Sequence, residues 1–242
     1  NPSITALIWL AFIGSPKLIN EYRNFGAECI SYRPKIYNKG SILMSQYYRN
    51  AQFITSAFDL SQLIPDEGKE VAFAGRSNAG KSTAINRLTE QKNLCKTSKT
   101  PGRTQLINFF ALEEERRLVD LPGYGYAKVP KKLRQHWNHV LASYLLERKS
   151  LAGLVILVDI RRGLTDLDWG LIELVDNELP VHILLTKADK LKSGARQKSL
   201  MTIQKQLLSQ NISVSLFSAT TGLGLDLFVA SCDRFLDRDT QV

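Results

Sequence analysis

Short apolar runs rich in Val, Ile and Leu alternate along the chain with longer segments in which apolar residues recur at helical spacing. The short runs predict strands and the longer segments predict helices. We expect strands at residues 71–75, 106–112, 116–121, 153–160, 181–186 and 212–219. We expect helices at about residues 81–91, 130–149, 166–178, 193–209 and 222–236.

Near-continuous apolar strands separated by helices are typical of a mostly parallel sheet that helices cover on both faces. The runs at 106–112 and 116–121 are the exception, because three glutamates alone join them and so short a connection predicts a hairpin. We therefore predict a three-layer α/β domain whose six-stranded sheet is mostly parallel, with one antiparallel edge strand. In such sheets ligands bind at the carboxyl ends of the strands.

The first 43 residues differ from the rest of the chain. Their apolar stretch at residues 4–14 is too short to span a bilayer, and no basic residue precedes it, so it is a poor signal peptide. The first methionine is Met44. We interpret residues 1–43 as an upstream extension without chemistry, with a weak membrane-surface anchor as the alternative. Residues 44–70 are then a lead-in, and residues 71–238 form the domain.

The first predicted strand runs into Gly-Arg-Ser-Asn-Ala-Gly-Lys-Ser at residues 75–82, and a predicted helix follows. This order fits G-x-x-x-x-G-K-[ST], a loop whose backbone N–H groups surround phosphate oxygens. Lys81 is expected to reach the β- and γ-phosphates, and the Ser82 hydroxyl is expected to bind Mg²⁺. A plain glycine-rich turn is the alternative, which the flanking strand and helix disfavour. The chain is therefore predicted to bind a nucleotide.

Polar segments follow other predicted strands at the same end of the sheet. Asp-Leu-Pro-Gly at residues 120–123 offers a carboxylate that can hold Mg²⁺ through water and a glycine N–H that can contact a γ-phosphate. Thr-Lys-Ala-Asp at residues 186–189 ends on a carboxylate, which suits the two donors on one edge of guanine. Adenine lacks this pair of donors. The N–H of Ala219 is placed to donate to guanine O6, so GTP is favoured, with an ATP-using kinase as the alternative.

Residues 96–105 are polar, basic and rich in helix breakers, which is typical of mobile loops. Thr104 comes just before a predicted strand and is placed to complete the Mg²⁺ shell when a γ-phosphate is present. Such a loop would be a switch that the triphosphate orders and hydrolysis releases.

These segments, in this order and spacing, resemble the EngB (YihA/YsxC) family of bacterial translation-factor-type GTPases over about residues 53–236. The most specific motifs are Thr-Pro-Gly-Arg-Thr-Gln at 100–105 and Asp-Leu-Pro-Gly-Tyr-Gly-Tyr-Ala-Lys-Val at 120–129. The resemblance implies a Ras-like GTPase domain that acts in assembly of the large ribosomal subunit and is necessary for normal cell division and septation. The scattered cysteines make a reducing cytoplasm the simplest setting. The family usually begins near the position of Met44, which supports setting residues 1–43 apart.

The resemblance also implies which residues contact GTP and Mg²⁺. Magnesium would be held by Ser82 and Thr104. The nucleotide contacts would be Gly75, Arg76, Ser77, Asn78, Ala79, Gly80, Lys81, Ser82, Gly102, Arg103, Thr104, Gln105, Leu106, Asp120, Leu121, Pro122, Gly123, Thr186, Lys187, Ala188, Asp189, Phe217, Ser218 and Ala219.

The residues expected to take part in hydrolysis are Lys81, Asn78, Thr104 and Gly123. Ras-type enzymes place a glutamine directly after Asp-x-x-Gly to orient the attacking water. This chain has Tyr124 there, so we expect slow intrinsic turnover. Asn78 stands where related GTPases use an asparagine to help hold K⁺, an ion that can supply the charge of an arginine finger. Ordinary hydrogen bonding within the loop is an equal alternative for Asn78.

The excess of basic residues indicates what kind of partner the protein binds. Lys and Arg number 32 against 23 Asp and Glu, a net charge of +9, and the basic excess persists without residues 1–43. Taken singly, each basic residue is best interpreted as part of a solvated helix face. Together with the resemblance, the first of two basic clusters, which adjoins the predicted switch segments, predicts that a monomer contacts RNA or proteins of a large-subunit precursor, without a DNA or membrane partner. The two basic clusters are Lys128, Lys131, Lys132, Arg134, Arg148 and Lys149, and then Lys190, Lys192, Arg196 and Lys198.

Two further considerations complete the prediction. The cysteines, Cys29, Cys95 and Cys232, form no C-x-x-C pair, so we expect neither a zinc site nor a disulfide framework. A GTP-dependent structural or cell-division protein without a direct ribosomal role is the alternative function, which the lack of a coiled-coil extension disfavours.

Overall fold

A computed structural model describes residues 47–95, 106–113, 115–125, 131–175, 178–207 and 212–238. Within them, the strands are β1 (Gln52–Ala57), β2 (Lys69–Gly75), β3 (Ile107–Ala111), β4 (Arg116–Asp120), β5 (Leu151–Asp159), β6 (Val181–Thr186) and β7 (Ile212–Leu216). The α-helices are α1 (Lys81–Leu88), α2 (Lys131–Glu147), α3 (Asp166–Leu174), α4 (Ser193–Gln206) and α5 (Leu225–Phe235).

The strands form one sheet in the order β1-β3-β4-β2-β5-β6-β7. Strand β3 is antiparallel to both of its neighbours, β1 and β4, and the remaining pairs are parallel. The predicted α/β class and the 106–121 hairpin are therefore confirmed. The predicted strand number is wrong, because the described residues form seven strands, and the antiparallel strand is not at the edge because β1 covers it.

Strand β1 lies in residues 44–70, which we predicted to be a lead-in without a strand. Two of its properties explain why the sequence pattern does not predict it. It is an edge strand whose Phe53 and Ile54 are 56% and 43% exposed, so its apolar residues do not mark a buried face. Its register against β3 also shifts between Phe53 and Thr55, which interrupts the alternation that predicts a strand. Residues 52–57 thus belong to the sheet.

The core has one layer on each face of the sheet. On one face, helices α2, α3 and α4 contribute Leu141, Leu171 and Ile203. On the other face, α1 and α5 contribute Ile85 and Phe228. Successive residues of the central strands point to opposite layers, as strand geometry requires. No helix in the described part of the chain has the length and hydropathy needed to cross a lipid bilayer.

The residues just before β1 are fastened to the carboxyl-terminal helix. The hydroxyl of Tyr48 donates to Oδ1 of Asp233 in α5 at 2.9 Å, and Arg238 donates to the same oxygen at 2.7 Å. The Arg238 guanidinium also lies 3.5 Å from the centre of the Tyr47 ring. The segment that leads into β1 is therefore part of the packed domain.

Candidate functional site

The phosphate loop connects the buried strand β2 to helix α1, as predicted. Gly80 has φ 96°, a left-handed conformation that glycine adopts without the strain other residues incur. Gly75 is required by packing, since a Cβ there would lie 2.9 Å from the carbonyl oxygen of Leu157 in β5. The loop ends at the first turn of α1, where unpaired N–H groups and the helix dipole favour an anion.

The lysine of this loop lies against the acidic residue that ends β4. Nζ of Lys81 donates to Oδ1 of Asp120, and both side chains are buried. Nδ2 of Asn108 donates to the other Asp120 oxygen at 3.4 Å. Residues from two separately predicted segments thus meet at one edge of the sheet, as the strand order requires.

The segment after β4 runs alongside the phosphate loop. The N–H of Tyr124 donates to the carbonyl of Gly75 at 3.3 Å, and the N–H of Ser77 donates to the carbonyl of Tyr124 at 3.0 Å. A Cβ on Gly123 would lie 3.6 Å from Cα of Ser77, so Gly123 is in close contact with the loop. Leu121, two residues earlier, was also predicted to contact the nucleotide, but its side chain packs in the core.

The segment after β6 holds the phosphate loop from the other side. The Thr186 hydroxyl donates to the carbonyl of Ala79 at 2.6 Å, and Nζ of Lys187 donates to the carbonyl of Asn78 at 2.6 Å. Asn78 itself has φ 64°, a conformation in which asparagine is several-fold enriched. This backbone geometry suits asparagine under either interpretation, so hydrogen bonding within the loop and a role in holding K⁺ both stay predictions.

The predicted base-reading carboxylate is fixed by two neighbours. The Ser218 hydroxyl donates to Oδ1 of Asp189 at 2.8 Å, and Nζ of Lys190 lies 3.0 Å from Oδ2. The hydrogen bond from Ser218, followed by that from Lys190, lowers the pKa of Asp189 below its ordinary value. The N–H of Ala188 donates to the carbonyl of Phe217 at 3.1 Å, which joins the two predicted base-binding segments. Ser218 therefore orients Asp189, a role that the sequence did not indicate.

Asp159 was not among the predicted site residues. It is the last residue of β5 and lies at the same carboxyl end of the parallel strands as Asp120. Its Oδ2 accepts hydrogen bonds from Nζ of Lys187 at 3.0 Å and from Nη2 of Arg161 at 2.6 Å. The bond from Arg161 is the main reason that the pKa of this carboxyl lies well below its ordinary range. Asp159 positions Lys187, which in turn holds the phosphate loop. The signal that could have revealed it is an acidic residue directly after a buried strand, the same signal that identified Asp120.

Several predicted residues lie outside the part of the chain that the structure describes. They include Gly102, Arg103, Thr104 and Gln105, so the proposed switch loop and the Mg²⁺ contact of Thr104 stay predictions. Leu106, the next residue, is half-buried just before β3, and Ser82 is half-buried in the first turn of α1. Phe217, which is predicted to contact the base, is buried, and Ala219 is half-buried.

The structure corrects the prediction for one basic residue. The Arg148 side chain is only 5% exposed, and its Nη2 and Nε donate to the two oxygens of Glu70 at 2.7 and 3.0 Å. It is thus a partner of a buried carboxylate and does not belong to the basic surface. Lys149, Lys192 and Lys198 are exposed. Lys128 lies outside the described residues.

The chain is similar to proteins of known family. Residues 70–187 match the family model described as 50S ribosome-binding GTPase. The Probable GTP-binding protein EngB of Vibrio parahaemolyticus is 55% identical over 192 residues, which are 78% of this chain and 88% of that protein. The protein of the same name from Pseudoalteromonas atlantica is 56% identical over 195 residues, 79% of this chain and 93% of that protein.

Solved structures show the same fold. A crystal structure of a probable GTP-binding protein engB has a TM-score of 0.55 at 23% identity, covering 69% of this chain and 98% of that chain. Era from Aquifex aeolicus bound to GDP and AlF₄⁻ has a TM-score of 0.56 at 22% identity, covering 69% of this chain and 56% of that chain. At these identities the likeness establishes the architecture alone.

Proposed function

The chain belongs to the EngB family of GTP-binding proteins, and from that premise we propose that it is a switch in assembly of the large ribosomal subunit. The chain is a GTPase, and guanine nucleotides are its ligands. The observation that carries the ribosomal role is the match of residues 70–187 to the family of 50S ribosome-binding GTPases. We further propose that the protein acts in the cytoplasm and that division and septation depend on the subunits it helps to assemble.

The described residues suit a magnesium–triphosphate complex. Mg²⁺ prefers hard oxygen donors, keeps several waters and shares its shell with substrate phosphates. The Ser82 hydroxyl and the Asp120 carboxylate are such donors. Asp120 is the last residue of β4, and Ser82 lies in the first turn of α1, the helix that follows β2. Ser82 would bind the ion directly, Asp120 would hold it through water, and the resemblance adds Thr104. When bound, the ion would neutralise charge that develops between the β- and γ-phosphates.

Lys81 would leave Asp120 for the phosphates when a nucleotide binds. The two side chains form a buried pair, and a buried charge without a partner is costly. The magnesium ion would compensate Asp120 as the phosphates compensate Lys81. At the other end of the nucleotide, Asp189 would accept hydrogen bonds from guanine.

Slow intrinsic hydrolysis is the consequence expected from Tyr124. Its hydroxyl donates to Asp168 at 2.7 Å, so the side chain at the position of the Ras glutamine is engaged elsewhere. Water must then be oriented by other groups, which the ribosomal particle or a K⁺ ion near Asn78 would supply. The predicted GTP state would therefore persist until the protein reaches its partner.

The partner that fits the exposed basic residues is ribosomal RNA with its adjoining proteins. Lys149 lies just after α2, and Lys192 and Lys198 lie at α4. Contacts between lysines and RNA phosphates release counterions, so their affinity falls steeply with salt. Lys131 and Lys132, which begin α2, follow the Asp-Leu-Pro-Gly segment (120–123) in the chain and would couple such contacts to the nucleotide.

Co-sedimentation with isolated ribosomal subunits tests this proposal. Binding to large subunits or their precursors should require a non-hydrolysable GTP analogue, weaken with GDP and fall as salt rises. The double reversal Lys131→Glu and Lys132→Glu should weaken binding without changing the affinity for GTP. A parallel variant reverses Lys192 and Lys198, which makes the same change of charge on α4 and so shows which of the two helices makes the contact.

Two results would contradict the proposal. Equal pelleting with the analogue, with GDP and without nucleotide would mean that the nucleotide does not control binding. Preference for small subunits would mean that the partner is wrong. Binding that only the α4 reversal weakens would move the contact surface from α2 to α4.

A further inference from the structure

Tyr124 is held by its backbone and by its side chain at the same time. The backbone pairs with the phosphate loop through Gly75 and Ser77, and Tyr124 forms a parallel bridge with Arg76. The side chain turns away from the loop into the core, where it is 8% exposed. Its hydroxyl donates to Oδ1 of Asp168 at 2.7 Å.

The acceptor, Asp168, is itself fixed. It is 1% exposed and lies in the first turn of α3. Its Oδ2 accepts hydrogen bonds from the N–H of Thr165 at 2.8 Å and from the Thr165 hydroxyl at 2.6 Å. This is the reciprocal capping arrangement that fixes the start of a helix. Oδ1 therefore faces Tyr124 in a fixed direction.

The phenol remains a hydrogen-bond donor at physiological pH. Burial, followed by the nearby charge of Asp168, raises the pKa of Tyr124 well above its ordinary value. The neutral phenol therefore donates to the carboxylate and does not compete with it for a proton.

The residue after Tyr124 is confined as well. Gly125 has φ 80°, and a Cβ there would lie 3.1 Å from Nε of Arg76 and 3.2 Å from Cδ1 of Leu167. Arg76 comes from the phosphate loop and Leu167 from α3. Gly125, two residues after Gly123, is thus confined between these two elements.

We propose that Tyr124 and Asp168 are positioning residues that fix Gly123 beside the phosphate loop, so that its N–H is in place for the third phosphate of GTP. The proposal rests on the nucleotide site described above, and it is independent of the ribosomal role. GDP has no third phosphate and gains nothing from this arrangement. The tether therefore strengthens the binding of GTP relative to the binding of GDP.

The expected change in the Kd of the GTP analogue follows from the entropy lost when a mobile backbone segment becomes ordered on binding. A backbone residue that must be fixed on binding lowers affinity by a factor of about 5 to 30. Tyr124→Phe keeps the ring and removes the hydroxyl, so the segment around Gly123 loses the hydrogen bond that ties it to Asp168. We expect the Kd of a non-hydrolysable GTP analogue to rise about fivefold or more, while the Kd of GDP changes by less than about twofold.

Tyr144→Phe is the matched control. The Tyr144 hydroxyl donates to Oε2 of Glu70 at 2.8 Å, and both residues are buried. Glu70 lies near the start of β2, at the end of the strand opposite the phosphate loop. This variant loses the same kind of phenol–carboxylate bond, so it should show a similar loss of thermal stability and an unchanged ratio of the two Kd values.

A second pair of variants tests the tether if Tyr124→Phe does not fold. Thr165→Val removes the hydroxyl that fixes Asp168, whereas Thr165→Ser retains it. Thr165→Val should weaken the GTP analogue selectively, and Thr165→Ser should restore the wild-type ratio. Fluorescence titration of each variant with the analogue and with GDP gives the result.

The proposal is overturned if the folded Tyr124→Phe variant keeps the wild-type ratio, or if it weakens both nucleotides equally. If that variant does not fold, an unchanged ratio in Thr165→Val overturns it. A wild-type protein that binds no GTP analogue would overturn the nucleotide site itself. These titrations contain no ribosomes, so failure of the ribosomal role leaves their outcome unchanged.

Discussion

The residue predicted to recognise guanine is Asp189, and its carboxylate is held by two neighbours. Ser218 donates to one of its oxygens at 2.8 Å, and Lys190 lies 3.0 Å from the other. Both contacts lower the pKa of Asp189. The group is therefore ionised near neutral pH and can only accept hydrogen bonds, which matches the two donors of guanine.

Asp189→Asn should change which base the protein prefers. The new amide places a donor against one of the guanine donors, and such mispairing typically lowers affinity by roughly tenfold to a hundredfold. Xanthine has a carbonyl where guanine has its 2-amino group, so xanthosine triphosphate should bind better to the variant than to the wild type. ATP should bind poorly to both. Titration with fluorescent analogues of the three nucleotides measures this change.

Asp226→Asn is a suitable control, because Asp226 is an exposed carboxylate in the first turn of α5. It should leave all three affinities unchanged. If Asp189→Asn binds GTP as tightly as the wild type does, Asp189 does not contact the base.

A second residue gives the fold a pH dependence. His182 in β6 lies within hydrogen-bond distance of Ser213 and Ser215, and burial together with Arg234 lowers the pKa of His182 to about 3. The ordinary pKa of histidine is 6.5. Between these values the unfolded chain binds a proton that the folded chain does not, so stability falls as the pH decreases below 6.5.

His182→Gln should remove this dependence. Between pH 7.5 and pH 5, the wild type should lose about 2 kcal/mol of unfolding free energy more than the variant does. Urea denaturation at the two pH values measures the difference, and His139→Gln, at an exposed position of α2, serves as the control. Equal pH dependence in His182→Gln and the wild type would contradict the buried, neutral state of His182.

At the scale of elements, the sequence predicted whatever depends on local pattern. Buried apolar runs identified β2 to β7, and the motifs after them identified the phosphate loop, Asp120 and Asp189. Strand β1 escaped because an edge strand needs no buried face. The contacts of Asp159 with Lys187 and of Tyr124 with Asp168 escaped because they join residues 28 and 44 positions apart, which no local pattern encodes.

Two shortened chains test whether β1 is integral to the fold. A chain that begins at Met44 should melt within a few degrees of the full chain, because residues 1–43 show no periodicity that would place them in the core. A chain that begins at Phe58 loses β1 and the buried Tyr48. It should melt about 10 °C lower or fail to fold, since each lost kcal/mol lowers Tm by roughly 2–4 °C in a domain of this size.

Thermal denaturation followed by circular dichroism compares the two chains. A large fall in Tm for the chain that begins at Met44 would show that residues 1–43 contribute to the fold. Equal melting of both chains would mean that β1 adds nothing to the stability of the sheet.

In the whole molecule, the segments after β2, β4, β5 and β6 converge at the carboxyl ends of these parallel strands, and the described residues of the predicted phosphate and base contacts lie there. Lys192 and Lys198, at the start and in the first half of α4, are exposed. The net charge of +9 is compatible with the proposed contact with RNA. Under that proposal, the protein would couple binding of the third phosphate of GTP to an RNA-containing partner.

Depletion of the protein from the cells that encode it tests its proposed role in assembly of the large ribosomal subunit. Ribosomal particles from depleted cells are separated on a sucrose gradient, and the cells are complemented with the wild type or with Asp189→Asn. If the protein acts in assembly of the large subunit, a large-subunit precursor should accumulate with an excess of free small subunits. Only the wild type should restore mature large subunits. A normal profile in depleted cells that still fail to divide would contradict the account and would favour a division protein without a direct ribosomal role.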